Sequence, residues 1–364
     1  MNTPVFTELV ARFDINLNIK EIVPFGNGHI NDTYLVTTNP ADAPDYMLQR
    51  KNHKIFKDVP GMMKNIVITT NHIRNQLLNA GVTEVNRKVM TYIASKNGEM
   101  FVNDDEGNFW TMFLFIADCR VVESIQEPGQ AFSAARAFGH FQKQLADLSG
   151  EMLIETIPNF HNGLSRLSDF QISVSNNIAG RVKDNQLLID KILGRSDAMT
   201  AIQRGLNDKS FPLRITHNDT KINNILFDQD NNTLCIIDLD TVMPGSALYD
   251  FGDAIRTLGN TAPEDEPDLT KIAFNKVIFE AFAKGYLSEA REFLTIVEID
   301  NLAFSCRYMA WEQAMRFLTD YLNGDTYYKT DYPGHNLVRT KAQIRYLEVL
   351  EEQQVSMERI VKES

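Results

Sequence analysis

A chain of 364 residues is long enough for two lobes, and its 43 % hydrophobic and 23 % charged residues are ordinary for a globular protein in water. The formal net charge of −12 offers no basic field for a phosphate backbone, which argues against nucleic acid and membranes as partners but leaves room for a nucleotide in a local cationic or metal-lined pocket. Cys119, Cys235 and Cys306 are far apart and form no C-x-x-C, so no zinc site or disulfide framework is expected, and the usage fits a reducing cytoplasm.

The N-terminal stretch MNTPVFTELVARFDI has no basic region followed by an apolar run, so no signal peptide is expected, and no 18-residue apolar window predicts a membrane span. Helical apolar spacing occurs over 4–14; strands follow at 19–23, 32–37 and 45–49, separated by Gly, Asn and Pro. Residues 60–80 read as a helix, and 89–93 and 109–116 as strands. After Ile116 the texture turns helical, over 128–148, 168–192, 269–287, 292–323 and 338–362. The pattern predicts an α+β bilobal layout: a small antiparallel β-rich lobe over 1–116 and a larger helical lobe over 117–364. A ligand cleft is expected between such lobes.

One stretch interrupts the helices: Thr216 to Asp238, THNDTKINNILFDQDNNTLCIID. Ile225-Leu226-Phe227 and Leu234-Cys235-Ile236-Ile237 read as two strands of a hairpin around a turn rich in Asp and Asn. Antiparallel pairing brings Asn224, before the first strand, beside Asp238, after the second; Asp219 lies five residues before Asn224. Two oxygen ligands beside a candidate base suit a divalent cation and a phosphoryl transfer. The spacing H-x-D-x-x-x-x-N before a strand ending in Asp is far more specific than a turn rich in polar residues.

Pro24 to Asp32 joins the first two strands and contains Gly26-Asn27-Gly28. A G-x-G turn between antiparallel strands can close backbone N–H groups over phosphates; a strand follows it, so it is no dinucleotide fingerprint. His29 and Asn31 would sit nearby, facing either phosphates or an acceptor.

These segments, with IIDLDTVMPGSALYDFGDAIR, MRFLTDYLNGDTYY and YPGHNLVRT, resemble the aminoglycoside phosphotransferase/choline kinase group, closest to the N-acetylhexosamine 1-kinases. The resemblance implies a protein-kinase-like fold and an ATP- and Mg²⁺-dependent phosphorylation of the anomeric hydroxyl of an N-acetylhexosamine. It implies that Asp219 accepts or orients the acceptor's proton. Asn224 and Asp238 would hold Mg²⁺, Gly26 and Gly28 would cover the phosphates, and Phe115 and Ile116 would meet adenine. Asp240 has a second-metal or metal-adjacent role open to it.

Kinases carry a Lys on the third strand and a Glu on the next helix. Alternation over Tyr46-Met47-Leu48-Gln49-Arg50 puts Gln49 where the Lys would be, with Arg50 facing the other way unless it swings in; the helix has no Glu. Asp250-Phe251-Gly252 spells the kinase D-F-G but does not close the hairpin, so it is read as a cap or a brace under the catalytic loop. For the acceptor, Arg316 and Tyr321 are the candidates, with Asp320 one turn from Arg316. Choline, homoserine or an aminoglycoside would be alternative acceptors. Two readings from other classes are a nucleotide-binding pseudokinase, and a sulfatase-like hydrolase from Ser210-Phe211-Pro212-Leu213-Arg214.

Overall fold

The computed structural model describes residues 3–16, 18–26, 30–40, 43–125 and 127–364. Two compact units emerge: Met1–Arg120 with Leu153–Pro158 and Leu226–Met243, and Val121–Met152 with Asn159–Ile225 and Pro244–Ser364. A single boundary after residue 116 does not describe this division, because the first unit takes up most of the hairpin and the segment just beyond it.

In the first unit, helix α1 (Thr3–Val10) precedes strands β1 (Asn18–Pro24), β2 (Asp32–Asn39) and β3 (Tyr46–Lys51), helix α2 (Val59–Asn79), and strands β4 (Tyr92–Ile93), β5 (Val102–Asn103), β6 (Phe109–Leu114) and β7 (Arg120–Val121). The main sheet runs β1-β2-β3-β6-β4, with β5 also on β6, all antiparallel. Period-two alternation sorts its faces. Leu48, Trp110 and Met112 pack with Phe6, Leu9 and Val10 of α1 into one core, while Met47, Gln49 and Lys51 point to the opposite face. The polar turn before β6 is ordered by Asp104, which accepts from the Asn108 backbone (2.9 Å) and from the Trp110 indole (2.8 Å). Helix α1 ends at Val10, four residues before the predicted end, and Phe13 instead bridges Ser95.

The second unit holds α3 (Pro128–Gln144), α4 (Gly163–Asn176), α5 (Gln186–Leu193), α6 (Ser196–Met199), α7 (Ala201–Asn207), strand β8 (Arg214–Thr216), α8 (Ala247–Leu258), α9 (Lys276–Ala290), α10 (Ile296–Leu322) and α11 (His335–Glu363). The predicted helix over 168–192 is two helices. Asn177, at φ +45°, caps α4 in the left-handed region, and Gly180 at φ +70° keeps the chain turning away. Helix α10 begins at a capping box between Thr295 and Glu298 and runs through the core with Tyr308, Trp311 and Leu318.

The hairpin forms as the sequence predicts, from β9 (Ile225–Phe227) and β10 (Thr233–Ile236), with β9 also beside β7. Its turn closes on the Asp228 side chain, which accepts from the backbones of Asp230 (2.9 Å) and Asn232 (2.8 Å). A tight turn over Leu239–Thr241 and strand β11 (Met243–Gly245) follow.

The S-x-P-x-R pentapeptide has structural work in the second unit. Arg214 meets the fully buried Glu298 through two hydrogen bonds, 2.6 and 2.7 Å, and Ser210 donates to the Gly205 carbonyl. Arg214→Met leaves Glu298 buried without its cation, so a loss of about 3–5 kcal/mol in unfolding free energy is expected in a denaturant titration.

Candidate active site

The loop after β8 carries His217, Asn218 and Asp219, and a buried carboxylate shapes it. Asp250, on α8, accepts from the backbone N–H groups of His217 (2.9 Å) and Asn218 (2.7 Å), and from the Gln142 amide (2.6 Å). Its backbone carbonyl accepts from Thr220 Oγ1 at 2.6 Å. The helix cap is Ser246 instead, so Asp250 is the brace under the loop. Asn218 is held at φ +63°, which needs such over-determination. Gly245 completes the seat, because a Cβ there would lie 2.4 Å from Thr216 Oγ1.

Asp219 is a quarter exposed, and the Lys221 ammonium stands 3.0 Å away. Burial pushes its carboxyl up, but Lys221, with smaller help from His217 and Arg256, outweighs that and holds it below the usual carboxylate range. Asp219 and, after it, Asp253 raise Lys221 against its burial, and Asp253 is itself paired with Arg256 at 2.9 Å. Asn224 donates Nδ2 to the Asp219 carbonyl (2.9 Å) and more weakly to its carboxylate (3.4 Å). That orientation keeps Oδ1 as the atom able to ligate a cation.

In the first unit, Asp238 follows β10 at φ +60° and ψ +56°, a backbone conformation uncommon outside glycine. Asp240 is buried, its Oδ1 on Lys51 Nζ at 2.6 Å and its Oδ2 on Asn31 Nδ2 at 2.8 Å. Tyr92 reports the charge of both carboxylates: its hydroxyl is pushed well up, first by burial and then by Asp240 and Asp238. Among the described residues no group of three or more His, Cys, Asp and Glu forms a metal cluster. Magnesium does not require one, since it is commonly held by one or two carboxylates plus phosphate oxygens. Asn224, in the second unit, and Asp238, in the first, each carry a hard oxygen donor of the kind magnesium takes.

The strand lysine is present, contrary to the reading that placed Gln49 at its position. Strand β3 runs two residues further than its apolar pattern shows, and Lys51, 1 % exposed, follows Gln49 on the same face. Gln49 accepts from Lys51 and donates to Thr33 (3.1 Å). Arg50 does not swing in: it lies on the other face, over the Trp110 ring and 2.7 Å from Asp32.

Other predicted positions separate. Gly26 has φ +74°, a conformation that suits glycine. Gly28 and His29 lie outside the described residues. Asn31 joins Asp240 and also accepts from the Asn52 backbone at 3.0 Å. Phe115 spends its N–H on the Asp45 carbonyl (2.9 Å), and its ring meets Phe25 edge-on at 5.7 Å. Ile116 is buried, and its carbonyl accepts from the Cys119 thiol.

Arg316 lines a cavity of about 410 Å³ within the second unit, with Arg166, Asp169, Asp320, Tyr327 and Tyr328 among the walls. Its guanidinium lies 5.0 Å from the Phe160 ring centre and 5.8 Å from that of Tyr328. Behind it is Glu312, 0 % exposed, at 3.6 Å from Arg316 and 3.3 Å from His161 Nδ1. Burial would push Glu312 up, yet Arg316, His161 and Arg166 bring it down to about 2. His161 Nε2 reaches the Asn218 carbonyl at 3.1 Å, so one chain of contacts links the cavity wall to the residue before Asp219. Asp320 is committed to the backbone N–H groups of Thr326, Tyr327 and Tyr328. Tyr321 is not a cavity wall; Arg181 stacks on its ring and bonds its carbonyl.

Residues 21–289, about three-quarters of the chain, match the phosphotransferase enzyme family. The chain belongs to that family. The phosphotransferase is also similar to three solved structures. An aminoglycoside phosphotransferase from Alicyclobacillus acidocaldarius is 11 % identical, with TM-score 0.63 over 98 % of this chain and 96 % of that one. A choline kinase from Cryptosporidium parvum is 16 % identical, with TM-score 0.60 over 98 % and 97 %. A spectinomycin phosphotransferase, in complex with ADP and spectinomycin, is 14 % identical, with TM-score 0.57 over 97 % and 99 %. At such identities the likeness establishes the kinase-like α+β fold of this phosphotransferase. Among its described residues no helix is long and apolar enough to cross a membrane.

Lys221, Glu312 and His161 escaped the sequence reading. Lys221 had a signal, since it stands two residues after Asp219 in the same loop. Lys221→Met removes the main group that offsets the burial of Asp219. In the variant the Asp219 carboxyl is therefore expected to titrate at higher pH, followed by side-chain carbon NMR with Asp219→Asn identifying the resonance.

Proposed function

We propose that this phosphotransferase is a cytoplasmic kinase that uses ATP and Mg²⁺ to phosphorylate the anomeric (C1) hydroxyl of an N-acetylhexosamine, GlcNAc or GalNAc, in a salvage step that feeds activated sugars. The observation that carries the choice of acceptor is the Arg316 cavity. It offers guanidinium and phenol donors suited to the hydroxyl and acetamido oxygens of a sugar. Arg316 lies over one face each of Phe160 and Tyr328, so a quaternary amine seeking those faces would meet a guanidinium there. Asp320 is spent on backbone N–H groups, which leaves the exposed Asp169 as the wall carboxylate for an aminoglycoside's amines.

In this reading Asp219 accepts a hydrogen bond from the attacking C1 hydroxyl and aims its oxygen at the γ-phosphorus. The new O–P bond forms as the bond to the ADP oxygen breaks, and the hydroxyl proton passes to Asp219. A carboxylate held below the usual range is a weak base, so it orients the hydroxyl and takes the proton late, which suits a loose phosphoryl-transfer transition state. Lys51 would meet the nucleotide phosphates. Asn224 and Asp238, which flank the hairpin in sequence, would hold Mg²⁺, which when bound neutralises phosphate charge. The presence of Lys51 removes one motive for a pseudokinase reading.

A panel of free sugars, choline, homoserine and aminoglycosides, each with ATP and Mg²⁺, tests the acceptor: ADP release is expected with the N-acetylhexosamines alone, with the phosphate assigned to C1 by NMR. Turnover of an amine in their place would sink the sugar reading. Asp219→Asn is expected to lower kcat by about 10²–10⁴-fold while ATP binding, measured by calorimetry, persists. Arg316→Met is expected to raise the acceptor KM by about tenfold and leave the ATP KM unchanged.

A further inference from the structure

Lys51 is a buried ammonium, and a kinase would normally give it a glutamate on the helix after β3. Helix α2 has no such residue: its 21 residues, VPGMMKNIVITTNHIRNQLLN, include no carboxylate. Its buried polar residues are Thr69 and Thr70, which donate to carbonyls of their own helix, and Asn65, whose amide is already engaged. Its Nδ2 donates to the carbonyls of Ile154 (2.8 Å) and Val242 (3.0 Å), and its Oδ1 accepts from the Ile154 backbone (3.0 Å). The helix therefore anchors the segment around Asp240 by neutral bonds and leaves the charge of Lys51 to something else.

That something is Asp240. One carboxylate oxygen meets Lys51 at 2.6 Å and the other meets Asn31 at 2.8 Å, while its backbone carbonyl accepts from Thr156 Oγ1 at 3.1 Å. Asn31 ends the β1–β2 turn and is also fastened to the Asn52 backbone just after β3. One carboxylate thus fixes both the strand lysine and the end of the glycine turn. Asp238 differs from it in having a left-handed backbone, which Asp240 lacks.

We propose that Asp240 is the counter-carboxylate that positions Lys51 and the Asn31 end of the turn for the nucleotide's phosphates, and that it does not ligate the metal. This rests on the kinase reading above. Asp240 is a positioning residue, acting through Lys51 and Asn31. Its removal is expected to weaken nucleotide binding whether or not a cation is present.

The test is calorimetric binding of ATP to the full chain in Mg²⁺ and in EDTA, for the wild type and for Lys51→Met, Asp240→Asn, Asp238→Asn, Asn31→Ala and the Lys51→Met/Asp240→Asn double variant. Lys51→Met and Asp240→Asn are each expected to lower affinity about tenfold in both buffers, the scale of one charge-assisted hydrogen bond. The double variant should bind no more weakly than Lys51→Met alone, because the two act as one unit. Asp238→Asn should lose affinity only in Mg²⁺. In turnover, Asp240→Asn should raise the KM for ATP without changing the Mg²⁺ concentration for half-maximal rate. The proposal is overturned if Asp240→Asn binds ATP normally or more tightly in EDTA, if it loses only the Mg²⁺-dependent affinity, or if the two single losses multiply. Should Asp240→Asn not fold, Asn31→Ala decides: a severalfold loss in EDTA supports the proposal and unchanged affinity overturns it. A wild type that binds no ATP in either buffer overturns the kinase reading and the proposal together, whereas normal wild-type binding with an inert Asp240 overturns the proposal alone.

Discussion

The candidate site depends first on one buried carboxylate. Asp250 receives two successive backbone N–H groups from the loop after β8, and its own carbonyl receives Thr220. Successive N–H groups converge on one acceptor only when the chain bends sharply between them, and Asn218 adopts its positive φ at that bend. The consequence is that Asp219 is aimed by the backbone, with little freedom left to its neighbours. Gln142 of α3 steadies Asp250 in turn and is itself bonded to Tyr286 of α9, so the loop's shape is set by the packing of three helices. Positional accuracy of this kind comes from surrounding structure rather than from the reacting groups.

The same economy governs the charged groups. Lys51–Asp240, Arg214–Glu298 and Arg316–Glu312 are ion pairs with at least one partner almost wholly out of water. Such pairs contribute little net stability, because desolvation offsets most of their attraction. What they supply is direction. A guanidinium backed by a buried carboxylate points where its partner allows, and Arg316 is thereby presented to the cavity instead of folding onto the surface. Glu312 then does two tasks, since through His161 it also reaches the loop that carries Asp219.

Much of this was legible in the sequence where the signal is local. The hairpin reads directly, because its turn residues, apolar strands and flanking polar residues all lie within 23 positions. Lys51 was missed because a strand's end is marked by pairing, and β6 continues opposite β3 past the last apolar residue: Arg50 faces Trp110 and Lys51 faces Phe109. The break between α4 and α5 was missed because Asn177 and Gly180 are weak stop signals inside an apolar periodicity. Glu312 and His161 were invisible for a different reason. They stand 151 residues apart, and nothing local distinguishes a buried glutamate on a long helix from a solvated one. Tyr321 shows the converse error, a suggestive neighbour of Arg316 whose ring faces Arg181 instead.

Asn65 has one more implication. In kinases that are switched, the helix after β3 can leave because the bond holding it is a salt bridge, which another charge can compete for. Here the helix is stitched to the chain on either side of the site by an amide that both gives and receives hydrogen bonds with the backbone. The Asn65 amide itself carries no charge for an added phosphate to compete for. What holds α2 to Ile154 and Val242 is therefore an amide, whose bonds do not weaken as salt rises the way an exposed ion pair's would.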